Sequence, residues 1–153
     1  MTDATRLSET HQDAWASYRT MRLRLDTRVA HDIEQEAGLS MPDYDVLAAI
    51  ASIEDPCVRV NTLAGRMSWS KSRLSRQLGR MRSRGLIDRE PCELDGRGDD
   101  IILTPTGRQA LDDASPVHRA SIRAHFADAL SADQIAALAD ISATVIAHLD
   151  DDR

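Results

Sequence analysis

The chain is poor in aromatic residues: Trp15, Tyr18, Tyr44, Trp69 and Phe126 are all that occur among 153 positions. Without aromatic bulk, a core must be filled by Leu, Ile, Val, Met and Ala, which favours a helical build. Two cysteines, Cys57 and Cys92, are too few and too far apart for a disulfide framework or a cysteine-based zinc site. No apolar run approaches the roughly 20 residues that span a bilayer. The polar start Met1-Thr2-Asp3-Ala4-Thr5 does not read as a signal peptide, so the expected location is the cytoplasm with no membrane partner. Also missing are a glycine-rich phosphate loop, a nucleophile elbow and a His-Glu zinc helix. Nothing therefore signals catalysis, and no cofactor is expected. There is no internal repeat and no flexible linker, and the length suits one compact domain.

Charge is what the chain distributes unevenly. Between Asn61 and Arg89, Arg66, Lys71, Arg73, Arg76, Arg80, Arg82, Arg84 and Arg89 stand against Asp88 alone, a local charge of +7. The whole chain carries -6, so everything outside that segment sums to -13. Such segregation points to one face that meets a polyanion, and a nucleic-acid backbone is the obvious one.

The periodicity predicts a long helix over residues 8 to 37, capped by Ser8 and stopped by Gly38. Its stripe of Trp15, Tyr18, Met21, Leu25, Val29 and Ile33 is too long for a terminal helix to bury alone, which suggests another subunit as partner. Ser40, Pro42 and Asp43 start a second helix that ends at Asp55-Pro56. A short extended stretch, Cys57 to Val60, precedes a short helix capped by Asn61. Ser68-Trp69 makes a turn, and Ser70 caps a basic helix running to about Arg84. Two helices joined by so short a turn form a helix-turn-helix. Leu86 to Pro91 and Asp99 to Leu103 then read as a hairpin around a glycine-rich loop. A helix beginning at Thr104-Pro105, kinked or interrupted by Pro116, and a last helix from Ser131, fraying in its acidic tail, complete the chain.

On the basic helix, Leu74, Leu78 and Met81 share one face, while Ser72, Arg73, Ser75, Arg76 and Arg80 project from the other. Aliphatic anchors behind short hydroxyls and long guanidiniums suit a major-groove reader, and Ser70 and Lys71 at the N-terminus suit phosphates. A merely solvated basic helix has the same composition. Gly79 inside it either permits a close backbone approach, to DNA or to a neighbouring element, or is incidental. Arg97, held between Gly96 and Gly98 at the hairpin tip, is placed to enter a minor groove, with Asp95 pinning it or capping the turn.

The run Asp95-Gly96-Arg97-Gly98-Asp99-Asp100-Ile101-Ile102-Leu103-Thr104-Pro105-Thr106-Gly107 resembles the wing signature of the MarR family of bacterial transcription regulators. Upstream, Leu63-Ala64, Ser70, Leu74, Arg76, Arg80 and Gly85-Leu86-Ile87 are similar to that family's helix-turn-helix frame. The resemblance implies a mainly α fold with a small β-hairpin wing, one domain over residues 1–153. Helices 8–37 and 105–149 would form the dimerisation region, and 40–104 the winged helix-turn-helix. It further implies a homodimeric, ligand-responsive repressor on a pseudo-palindromic double-stranded DNA operator. Arg97 would then serve the minor groove, and Arg73, Arg76 and their serine neighbours the major groove. A small-molecule effector, such as a phenolic or other small organic acid, has Trp15, Tyr18, His31, Asp43, Tyr44 and Arg66 as candidate contacts. The same residues also suit plain packing and interhelical hydrogen bonding. Cys92 beside the wing is the residue on which a redox-sensing variant of the fold would depend. His118 and His125, seven apart, suit either a metal or a surface. A winged helix used only to bind protein is the other rival, and the arginine-rich face speaks against it.

Overall fold

The computed structural model describes residues 6–54, 58–91 and 99–151. Among these residues the order is α1 (Glu9–Ala37), α2 (Met41–Ala51), α3 (Val60–Met67), α4 (Lys71–Ser83), β1 (Ile87–Pro91), β2 (Asp99–Leu103), α5 (Pro105–His125) and α6 (Ala132–Asp151). A 3-10 turn, Ala127–Ala129, precedes α6. The fold is mainly helical with a two-stranded antiparallel hairpin, as the sequence implied. The chain forms two compact units, one from Ala30 to His118 and one from the described residues up to Val29 and from Arg119 onward.

Helix boundaries follow the capping chemistry. Ser8 accepts the His11 amide at 3.3 Å, Ser40 accepts the Asp43 amide at 3.3 Å, and Ser70 accepts the Arg73 amide at 3.2 Å. Gly38, at φ +65, closes α1 in the left-handed region that glycine enters without strain. Helix α3 departs from expectation, since it starts at Val60 with Arg59 as cap and Asn61 inside its first turn. The cause lies in Val58, whose carbonyl accepts the Ile101 amide at 2.8 Å and keeps the chain extended to that point. The Leu63 amide then bonds back to Arg59, so the helix begins at Val60, two residues before the start that an Asn61 cap would set. Pro116 does not interrupt α5. The carbonyl that loses an amide partner there belongs to Asp112, an exposed residue that water can serve. Helix α6 likewise continues through Asp150 to Asp151, past the point where fraying was expected.

In the unit from Ala30 to His118, α2 packs on α3, α4 and β2, and α4 packs on α3 and β1. Ile33, Val46, Leu47, Leu63, Leu74, Leu78, Met81, Ile87 and Ile101 fill its core. β1 and β2 pair in register from Ile87 opposite Leu103 to Pro91 opposite Asp99. The return from β2 into α5 is locked by Leu103-Thr104-Pro105-Thr106-Gly107. The Thr104 hydroxyl donates to the Gly85 and Leu86 carbonyls at 2.6 and 3.0 Å, and accepts the Gly107 amide at 3.0 Å. A Cβ on Gly107 would stand 1.9 Å from the Leu86 carbonyl oxygen, so only glycine lets the first turn of α5 lie this close.

The other unit is differently constituted. Trp15, Tyr18, Met21 and Leu23 of α1 are exposed, as are Ile135, Ile141, Val145, Ile146 and Leu149 of α6. Helix α6 buries no residue at all. Among the described residues no single helix is long and apolar enough to cross a membrane.

Candidate nucleic-acid interface

Helix α3 ends at Ser68, whose φ of 53 and ψ of 35 place it in the left-handed region and turn the chain sharply. The Trp69 amide bonds to the Ala64 carbonyl at 3.0 Å and fixes that turn. Ser70 then caps α4, and its Oγ lies 3.3 Å from the Ser72 hydroxyl. Leu74, Leu78 and Met81 are fully buried, which orients the helix. Ser70, Lys71, Ser72, Arg73, Ser75, Arg76 and Arg80 are all exposed, so the structure brings seven of the sequence-predicted residues onto or beside one open face.

Two of the basic residues counted in the charge run belong to the fold instead. Arg82 pairs with Asp88 of β1 at 3.1 Å, and Arg84 forms a two-pronged bridge to Asp43 of α2, at 2.8 and 2.6 Å. Among the described residues, Lys71, Arg73, Arg76 and Arg80 have no acidic partner. On α4 the positive charge without an acidic partner among the described residues is therefore carried by these four side chains. Arg73 is further organised by Trp69, whose ring lies 3.8 Å beneath its guanidinium carbon.

Behind this face lies a polar relay. Asp43 is 1% exposed, and its carboxylate accepts the Ser40 hydroxyl at 2.7 Å, both Arg84 prongs and the Gln77 amide nitrogen at 2.5 Å. Gln77 is 4% exposed, and its oxygen accepts the Arg80 guanidinium. Burial pushes the Asp43 carboxyl up, but hydrogen bonds from Arg84 and Ser40, the Arg84 charge and the Gln77 bond outweigh it. The net effect holds Asp43 below the ordinary aspartate value, while the Asp43 bond raises Arg84. Sequence reasoning missed Gln77. Its position one residue before Leu78 and three after Leu74, on the side those leucines bury, was the available signal.

The candidate effector residues are divided between the two units. Trp15 and Tyr18 stack on one another with centroids 5.7 Å apart, both exposed, in the unit that contains most of α1. His31, Asp43, Tyr44 and Arg66 belong to the other unit. There His31 is exposed, and Asp43 is enclosed by its partners. Tyr44 meets His118, with its hydroxyl 3.1 Å from Nδ1 and ring centroids 4.5 Å apart. Arg66 donates to the hydroxyl of Ser52 at 2.9 Å and ties α3 to the end of α2. His118 and His125 are engaged separately, the latter by Arg28 at 3.2 Å. Asp95, Arg97, Cys57 and Cys92 lie outside the described residues.

A short helix, a left-handed turn, a basic helix with its aliphatic face buried, and a following hairpin together define a winged helix-turn-helix protein. The MarR family sequence model matches residues 37–98, which span the helix-turn-helix and the first strand of the hairpin. Among solved structures the chain is similar to AbsC, a MarR family transcriptional regulator from Streptomyces coelicolor. The two are 34% identical, with 96% of this chain and 99% of that one covered and a TM-score of 0.86. Sco3205, a MarR family transcriptional regulator from the same organism solved in complex with DNA, is 28% identical over 94% of each chain, with a TM-score of 0.85. The Mycobacterium tuberculosis regulator MosR is 25% identical, with 90% of this chain and 95% of that one covered and a TM-score of 0.69. No curated protein matches the chain. The chain belongs to the MarR family, whose members are transcriptional regulators and not enzymes.

Proposed function

We propose that this regulator binds double-stranded DNA sequence-specifically as a homodimer on a pseudo-palindromic operator and represses transcription until a small-molecule effector releases it. The observation that carries the reading is the set of four basic side chains, Lys71, Arg73, Arg76 and Arg80, exposed without acidic partners among the described residues on the second helix of a helix-turn-helix. Arg73, Arg76, Arg80, Ser72 and Ser75 read bases in the major groove, and Ser70 and Lys71 hold phosphates near the α4 N-terminus. Arg97 serves the minor groove, with Asp95 in the same DNA-binding set, pinning it or capping the turn. The DNA-bound state of Sco3205 supports this use of the fold.

Dimerisation is supported by the large apolar side chains left exposed along α1 and α6. Soluble monomers rarely leave so many large apolar side chains in water, and a second copy would cover them. Residues 1–153 then act as one MarR-like domain, with 8–37 and 105–149 as dimerisation helices and 40–104 as the DNA-binding region. Of the effector candidates, His31 is exposed and is not part of the apolar stripe of α1, so it stays open to a phenolic or other small organic acid. The test is a gel shift on the DNA flanking the protein's own gene, with the oligomeric state read by light scattering. A retarded complex containing two chains is expected; absence of binding to every fragment at low salt contradicts the proposal.

A further inference from the structure

We propose that Gln77, Asp43 and Arg84 are positioning residues that set the base preference exercised by Arg80, an inference that rests on the DNA-binding reading above. Arg80 lies on the open face of α4, yet one prong of its guanidinium is already committed to the Gln77 side-chain oxygen. An amide can face either way, but here its orientation is determined by chemistry. A carboxylate only accepts, so the Gln77 nitrogen must point to Asp43, and the oxygen is left for Arg80. Asp43 cannot turn to release it. Arg84 holds both carboxylate oxygens, and the Ser40 hydroxyl, itself the cap of α2, adds a further bond.

The result is a chain of fixed polarity running from the first turn of α2, through the buried side of α4, to a guanidinium on the outer face. An arginine anchored along one edge presents its remaining donors in a restricted direction. An unanchored arginine would sample many rotamers and meet phosphates or bases indiscriminately. Among the described residues, Arg80 is thus the one exposed basic residue of α4 whose aim is dictated from the protein core. Arg73, in contrast, rests on the half-buried Trp69 at the other end of the helix. Bidentate recognition of a guanine edge needs such a fixed approach.

The experiment compares wild type with Gln77→Met, which preserves side-chain volume but carries no amide, and with Arg80→Ala. Each protein is titrated against an operator duplex and duplexes bearing every single base-pair substitution, after circular dichroism has matched the folded fractions. Gln77→Met is expected to lose roughly tenfold discrimination at the positions that Arg80→Ala also flattens. Combining the two substitutions is expected to change the base profile no further. Arginine-selective 15N spectra of the DNA-free protein provide a second readout, in which the Arg80 guanidinium signals are resolved in wild type and averaged in Gln77→Met. Evenly weakened binding at all positions, or an unchanged Arg80 spectrum, overturns this inference alone. A wild-type protein that binds no duplex at low salt overturns the DNA-binding reading with it.

Discussion

Replacing Arg84 with alanine isolates what the buried carboxylate of Asp43 requires. Removal of one member of a buried ion pair leaves an uncompensated charge and typically costs about 3–5 kcal/mol. Here the arginine side chain is 49% exposed and the aspartate 1%, so water already screens part of the partnership. Ser40 and Gln77 also stay behind as donors to the orphaned carboxylate. A loss of about 2 kcal/mol is therefore expected at neutral pH. The pH dependence is more diagnostic than the magnitude. In the wild type the Asp43 carboxyl sits below its ordinary value of 3.8, so its contribution is complete above that value and is lost as pH falls through the lower, folded-state value. Without Arg84 the balance tips toward burial, and the carboxyl takes its proton at higher pH, where the buried charge disappears. The gap between the two proteins must therefore narrow as the solution is acidified through about pH 4. Urea denaturation followed by far-ultraviolet circular dichroism, at one protein concentration so that subunit exchange does not shift the midpoints, reads this directly. A gap that is constant from pH 7 to about pH 3.5, or one below about 0.5 kcal/mol throughout, refutes the reasoning.

Other substitutions test the remaining structural claims. Gly107→Ala forces a Cβ against the Leu86 carbonyl and is expected to destabilise by about 2 kcal/mol or more, read as a lowered urea midpoint. Gly79→Ala meets no heavy atom within 4 Å and is expected to stabilise by about 1 kcal/mol, which separates the two glycines by sign. Trp69→Ala removes the platform under Arg73, so operator affinity measured by fluorescence anisotropy is expected to drop roughly two- to fivefold in wild type, but not in an Arg73→Ala background.

The sequence carried the architecture because its signals were local. Ser8, Ser40 and Ser70 cap the helices they were expected to cap, and Leu74, Leu78 and Met81 bury the face their spacing marked. What escaped was set by contacts between distant segments. The start of α3 depended on Val58 reaching Ile101, and nothing near Asn61 encodes that bond. Arg84 and Arg82 looked like two more surface charges until Asp43, 41 residues earlier in the chain, and Asp88 were found against them. Asp43 was itself legible as a capping residue, but its enclosure by Gln77 and Arg84 requires α2 and α4 to be packed. The glycine of the wing signature, Gly107, turns out to serve the join between hairpin and α5 through its contact with Leu86. Family-like sequence and fold-determining contact coincide at that position.

Selection of binding duplexes from a randomised DNA pool tests most directly the claim that α4 is a sequence reader. The wild-type protein is expected to enrich an inverted repeat, with binding that weakens steeply as salt is raised, and Arg76→Ala is expected to enrich a blurred version of the same half-site. A pool that remains random after repeated rounds at low salt contradicts it.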